Sequence, residues 1–240
     1  MAQLFPPSTN ALARATIWGA VFIVAAITWA GNEWIRSSYV TQVDVVRDQP
    51  VPFSHDHHVS GLGLDCRYCH ATVETSAFAG MPATETCMGC HSIIWKDSPL
   101  LAPVRESWRT RRPLAWTRVY DVPDFVYFNH SIHIAKGIGC ESCHGRVDQM
   151  PLMRKAVSLH MEWCLDCHRH PEREVREPDA VFAFGQEQRG LLAANRQERF
   201  AAASSLEAPR PALNEKGGDQ LVANYGIAKC QITDCAICHR

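Results

Sequence analysis

The sequence predicts short α-helices joined by long irregular stretches, behind a single N-terminal transmembrane helix. Three observations predict it: an uncharged apolar run near the N-terminus, one short cysteine–histidine motif written five times, and 14 prolines spread through a chain of 240 residues. Hydrophobic content of 46% is ordinary for a packed chain and excludes general disorder. A formal net charge of -1 gives no basic footprint, so no nucleic acid is expected as a partner. The unusual numbers are 11 Cys and 12 His, which neither an ordinary cytosolic enzyme nor a disulfide scaffold requires together.

The uncharged run extends from Ala15 to Asn32, 18 residues. As a helix it would measure roughly 27 Å at 1.5 Å per residue, just enough for a hydrocarbon core of about 30 Å. Trp18, Trp29 and Trp34 lie toward its ends, where indole rings favour the membrane interface. A cleaved signal peptide is the other reading of such a segment. We expect a retained anchor over residues 1–36, held in membrane lipid. Arg14 precedes the run, and Glu33 and Arg36 follow it, so charge alone orients the helix weakly.

C-x-x-C-H occurs five times: Cys66–Cys69–His70, Cys87–Cys90–His91, Cys140–Cys143–His144, Cys164–Cys167–His168 and Cys235–Cys238–His239. Two thiols three positions apart can each bond one vinyl group of the same haem. The adjacent His then supplies the proximal nitrogen to the iron. A redox dithiol or half a zinc site looks similar in one copy, but five copies each followed by His indicate five covalently bound haem c groups. Such attachment takes place on the outer side of energy-transducing bacterial membranes. The haem-bearing part is therefore expected on the periplasmic side of the inner membrane. Only Cys230 stands outside the motifs.

A second pattern supplies distal ligands. Phe53-Ser-His55-Asp-His57-His58 precedes the first motif, and Phe128-Asn-His130-Ser-Ile-His133 precedes the third. Both read F-x-H-x-x-H, roughly 75 residues apart, and the attachment motifs repeat at nearly the same offset. We read an internal duplication: a dihaem module at 53–91, a linker at 92–127, a second module at 128–168, a polar docking segment at 169–229 and the fifth motif at 230–240. His residues three apart share one side of a helix and can reach two different irons. His55, His58, His130 and His133 are thus the distal candidates for four haems. His57 and His170 are off the pattern and read as surface or propionate-bonding side chains. The fifth distal position falls to Met161, with Met150 and His160 as alternatives and Met81 and Met153 behind them.

About 35 residues per haem is too little protein to enclose five macrocycles in an ordinary core, so the haems themselves must form most of the apolar interior. Pro99, Pro103, Pro113 and Pro123 are expected to break the linker into extended pieces. Glu187 to Ala203 reads as a surface helix ended by Pro209 and Pro211, with Gly217-Gly218 loosening the chain beyond it. Arg67, Arg146, Arg154 and Arg169, beside the motifs, are candidate propionate partners.

FVYFNHSIHIAKGIGCESCHGRVDQM, followed by MEWCLDCHR, resembles the pentahaem cytochrome subunit of alternative complex III. PFSHDHH, the terminal TDCAICHR and the single anchor extend the resemblance over essentially the whole chain. The wider class is that of cytochrome c7-like multihaem proteins. The resemblance implies a multihaem cytochrome c fold and an integral-membrane quinol-oxidising subunit as partner. It also implies an iron–sulfur subunit as donor, and a monohaem cytochrome, terminal oxidase or copper protein as acceptor. The expected function is electron relay within a quinol:acceptor oxidoreductase, with no catalytic site on this chain. The alternatives are an anchored quinol dehydrogenase that oxidises quinol directly, and a multihaem reductase of a small molecule such as nitrite.

Overall fold

The structure, a computed structural model, describes residues 6, 8–185 and 215–239. It divides into two units, Met1–Asp44 and Val45–Arg240. The first is built on helix α1 (Ser8–Arg36), followed by the short α2 (Ser38–Thr41). Helix formation runs past the uncharged segment at both ends and takes in Arg14, Glu33 and Arg36, since nothing between Ser8 and Arg36 breaks a helix. Ser8–Thr41 is long and apolar enough to cross a membrane, with a mean hydropathy of 1.8 and none of its apolar window buried. Trp18, Trp29 and Trp34 are all exposed on it.

The second unit contains short helices and no strand among the described residues; its extended pairings are isolated bridges such as Val46–Arg154 and Ile138–Val175. Its helices follow the attachment motifs. Cys66–Cys69 is α3, Thr84–His91 is α4, Cys140–His144 is α7, Met161–Arg169 is α8, and Cys235–Cys238 is α10. Aspartate caps start two of them: Asp65 accepts from the Arg67 N–H and Asp234 from the Ala236 N–H. The first and third motifs occupy helices of about one turn, and the second and fourth lie toward the ends of longer ones.

The linker departs from the extended reading. Pro99–Leu101 forms a 3₁₀ turn that runs into α5 (Ala102–Thr110). Pro103 falls in the first turn of α5, where a missing N–H costs nothing, and Pro113 lies beyond its end. Val104 and Leu101 pack with Val51 against Cys87, Met88, Leu114 and Trp116. The Thr84 hydroxyl donates to Ser107 Oγ at 2.6 Å, and Ser107 donates to the Arg112 carbonyl at 2.6 Å. The linker therefore braces the second motif.

The polar segment departs in a second way. Gly217 and Gly218 lie inside α9 (Glu215–Asn224) rather than loosening the chain. A Cβ on Gly218 would strike the backbone carbonyl of Glu172, so glycine is what lets this helix approach the 3₁₀ turn Pro171–Arg173. Val222 joins Ile138 and Val175 in a small cluster that also touches Cys167. Gly137, at φ +78, sits where a Cβ would meet the Tyr225 ring at 2.5 Å. The Glu187–Ala203 helix, Pro209 and Pro211 lie outside the described residues.

Candidate haem-binding site

Helix α6 (His130–Ala135) carries two of the distal candidates, and Asn129 caps it by accepting from the Ser131 N–H. The equivalent stretch of the first repeat is a π-helical turn, Asp56–Gly61, with His55 at its N-cap. Despite that difference the aromatic arrangement is the same twice. Phe53 meets His55 edge-on at 4.9 Å and 86°, and stacks on His58 at 4.4 Å and 24°. Phe128 meets His130 at 4.7 Å and 88°, and stacks on His133 at 4.6 Å and 28°. The phenylalanine of F-x-H-x-x-H thus fixes both rings, a role that the motif lettering hinted at and spacing alone does not assign.

The rings of the two histidine sets face one another in pairs. His58 and His91 have ring centres 6.2 Å apart, His130 and His144 6.4 Å apart, and His133 and His168 6.3 Å apart. A metal–nitrogen bond is about 2 Å, so two imidazoles ligating one ion from opposite sides have ring centres roughly 6 Å apart. His55 lies within electrostatic reach of His70.

The ring nitrogens point to the same use. Nδ1 lies on a backbone carbonyl in seven of these rings: His58 on Ser54 at 2.8 Å, His70 on Gly80 at 2.7 Å, His91 on Ile94 at 3.0 Å, His130 on Ala77 at 2.8 Å, His133 on Asn129 at 2.7 Å, His168 on Ile232 at 2.6 Å and His239 on Phe125 at 3.1 Å. A carbonyl only accepts, so Nδ1 carries the proton and Nε2 keeps a free lone pair, the form that metal ligands take. His170 instead turns Nδ1 to the Glu172 carboxylate at 3.4 Å. His57 stacks on Trp95. Neither His57 nor His160 has an Nδ1–carbonyl bond among the described residues.

Burial keeps several rings neutral. Burial, then His70 and His58, pushes the His55 ring down to about 4, and its Nδ1 is buried without a hydrogen-bond partner. Burial, then the rings of His130, His70 and His55, pushes His144 down to about 4. His133 is lowered by burial, against the opposing bond to Asn129. Tyr120 lies 4.4 Å from the His144 ring. It donates its hydroxyl hydrogen to the Cys143 carbonyl at 3.2 Å and accepts from the Ala156 N–H at 2.7 Å. Nothing in its sequence context marked it.

No two cysteines are joined by a disulfide, and Cys90, Cys230 and Cys235 are exposed. Cys66 and Cys140 perturb each other: Cys140 lowers the Cys66 thiol, and Cys66, then burial, raises that of Cys140. Burial and then the neighbouring Cys87 raise the Cys69 thiol; burial and then Cys238 raise that of Cys164. Met161 opens α8 and is 66% exposed, three residues before Cys164. Met150 is 2% exposed and lies within reach of Gly145, beside His144. Two of the candidate propionate partners also pair with protein carboxylates. Arg67 makes two hydrogen bonds to Asp65, at 2.9 and 2.8 Å, and Arg146 two to Asp148, at 2.8 and 2.7 Å.

The contrast between two adjacent histidines is testable. His58→Ala is expected to convert one haem from low-spin to high-spin, and His57→Ala none. Electron paramagnetic resonance of the oxidised protein reads the difference, and equal effects would contradict the pairing of His58 with His91.

No protein-family model matches the chain. Over 117 residues it is 36% identical to the protein named menaquinone reductase, multihaem cytochrome c subunit, of Nitratidesulfovibrio vulgaris (strain Hildenborough). That stretch is 48% of this chain and 51% of the relative, so the chain spans about half the length of the curated relative it matches. The likeness supports the multihaem c-type cytochrome class for this chain, and with it covalently bound haem c.

Proposed function

We propose that the chain is the membrane-anchored, five-haem electron-transfer subunit of a quinone-linked oxidoreductase of the alternative complex III type. The observation that carries this reading is the set of paired imidazoles, five of the six with Nδ1 anchored on a carbonyl and Nε2 free, beside cysteine pairs spaced for covalent attachment. The residues that would hold the cofactor are the ten motif cysteines, with His70, His91, His144, His168 and His239 as proximal ligands and His55, His58, His130 and His133 as distal ones. Bound haem c would supply a one-electron couple at each of five positions.

The chain's own contribution is to hold and tune. Covalent attachment would fix each group, the three facing pairs His58–His91, His130–His144 and His133–His168 would each hold one iron, and His55 and His70 would hold a fourth. Nδ1–carbonyl bonds raise the basicity of the ligating nitrogen, which favours the oxidised metal. Burial around His55 and His144 keeps the rings uncharged and water away from them. Met161 fits the fifth distal position better than Met150, which is enclosed beside an already paired ring. A thioether in place of an imidazole raises the potential, so the fifth position would be the most oxidising of the set.

In this reading, residues 1–36 anchor the chain in the bacterial inner membrane and residues 37–240 stand on its periplasmic side. The partners are an integral-membrane quinol-oxidising subunit, an iron–sulfur subunit that donates, and a monohaem cytochrome, terminal oxidase or copper protein that accepts. The number and order of the motifs behind one anchor support the alternative complex III assignment. The likeness to a menaquinone reductase subunit favours a second reading, in which the same chain passes electrons toward the quinone.

Purified full-length protein alone is expected not to be reduced by quinol. Its redox titration is expected to contain one component above the rest, which Met161→Ala removes. Quinol reduction by the chain alone would replace the relay with a direct quinol dehydrogenase. With the partner subunits present, the direction of net electron flow separates the two quinone-linked readings.

A further inference from the structure

The two repeats bind each other reciprocally. The Asp56 N–H donates to the Met150 carbonyl at 3.1 Å, and the Ser131 N–H donates to the Ser76 carbonyl at 3.2 Å. Asp56 and Ser131 hold equivalent positions in the F-x-H-x-x-H segments, and Ser76 and Met150 equivalent positions ten residues after the first and third leading cysteines, Cys66 and Cys140. Each repeat therefore presents its distal segment to the loop that follows the other repeat's first motif. A contact in which i meets j and j meets i is the signature of a two-fold axis, here within one chain.

Other contacts extend outward from that axis. In the second repeat, His130 faces His144 and His133, one turn on, faces His168, joining the third motif to the fourth. In the first repeat, His55 and His58 share Phe53 as His130 and His133 share Phe128, and His58 faces His91, the equivalent join of the first motif to the second. The fifth motif breaks the symmetry: His168 Nδ1 lies 2.6 Å from the Ile232 carbonyl just ahead of Cys235.

We propose that the five attachment motifs form one unbranched series in the spatial order second, first, third, fourth, fifth, centred on a pseudo-two-fold axis between the first and third. This order differs from their order in the sequence, and it rests on the five-haem reading above. The groups at Cys87/Cys90 and Cys235/Cys238 are then the two ends, where electrons enter and leave the chain. An independent observation agrees: of the ten attachment cysteines, the exposed ones are Cys90 and Cys235, one in each terminal motif.

The test uses the full-length, haem-loaded protein, its haem content first established by mass. A haem-resolved cryo-electron microscopy map is expected to put the iron of the first motif between those of the second and third, and the iron of the fourth between those of the third and fifth. A branched arrangement, or a second-motif iron nearest the third or fifth, overturns the order. A mass below five haems overturns the underlying reading instead. Cys87→Ala/Cys90→Ala offers a solution test. Loss of a terminal group is expected to shift the potential of one remaining haem, the first, in a nuclear magnetic resonance-resolved titration. A comparable shift in two or more haems contradicts a terminal position.

Discussion

Made in cells that cannot attach haem, the Val45–Arg240 unit is expected to stay unfolded. The polypeptide's own core is too small to do otherwise. Nine apolar side chains are buried among the described residues, six of them in two separate clusters of three, and none is completely enclosed. Ordering each residue costs roughly 1–2 kcal/mol of backbone entropy, which so few contacts cannot offset. The helices do not help, since α3 and α10 have four residues each and α7 has five, where isolated helices need about 12–15 residues to be even marginal in water. Large apolar side chains beside the motifs, among them Tyr68, Ile93, Trp95, Ile132 and Ile237, are exposed and add nothing to the polypeptide's own core. Far-ultraviolet circular dichroism and protease digestion of haem-free chain check this. A cooperative thermal transition without haem would contradict it.

Loss of the third attachment pair is expected to cost far more than loss of the fifth. Helix α7 knits several segments together. The Cys140 N–H donates to the Val181 carbonyl, Glu141 accepts from the Gly185 N–H and lies 3.5 Å from Arg176, and Tyr120 ties Cys143 to Ala156. Cys140 also lies on the contact between the two repeats. Helix α10 is held more lightly, by the Tyr127 N–H on the Cys238 carbonyl and by His239 on the Phe125 carbonyl. Cys235→Ala/Cys238→Ala is expected to yield a folded protein with four haems. Cys140→Ala/Cys143→Ala is expected not to accumulate as folded protein. Haem content and thermal midpoint of the purified variants decide it, and equal yields would refute the central position of the third motif.

Much of this was legible in the sequence, for identifiable reasons. Covalent attachment demands fixed spacing, so the five motifs are readable letter by letter, and duplication preserved the F-x-H-x-x-H segments. Uncharged length revealed α1, though not its extension to Ser8 and Arg36, because one or two charges do not stop a helix. Other features depend on tertiary contact and leave no local mark. The carbonyls that orient the rings belong to Gly80, Ala77, Ile232 and Phe125, and any residue type offers a carbonyl. Helix α5 was hidden because proline reads as a breaker wherever the helix start is not known. Gly217-Gly218 suggests a loose joint because close packing against Glu172, which requires glycine at 218, is invisible along the chain. The bonds of Arg67 to Asp65 and of Arg146 to Asp148 join residues two apart and need no long-range contact.

Intact-mass measurement of the natively produced protein tests covalent attachment most directly. A mass above that of the polypeptide by five haem groups, one for each motif, is expected to survive denaturation. A denatured chain with the mass of the bare polypeptide would contradict it.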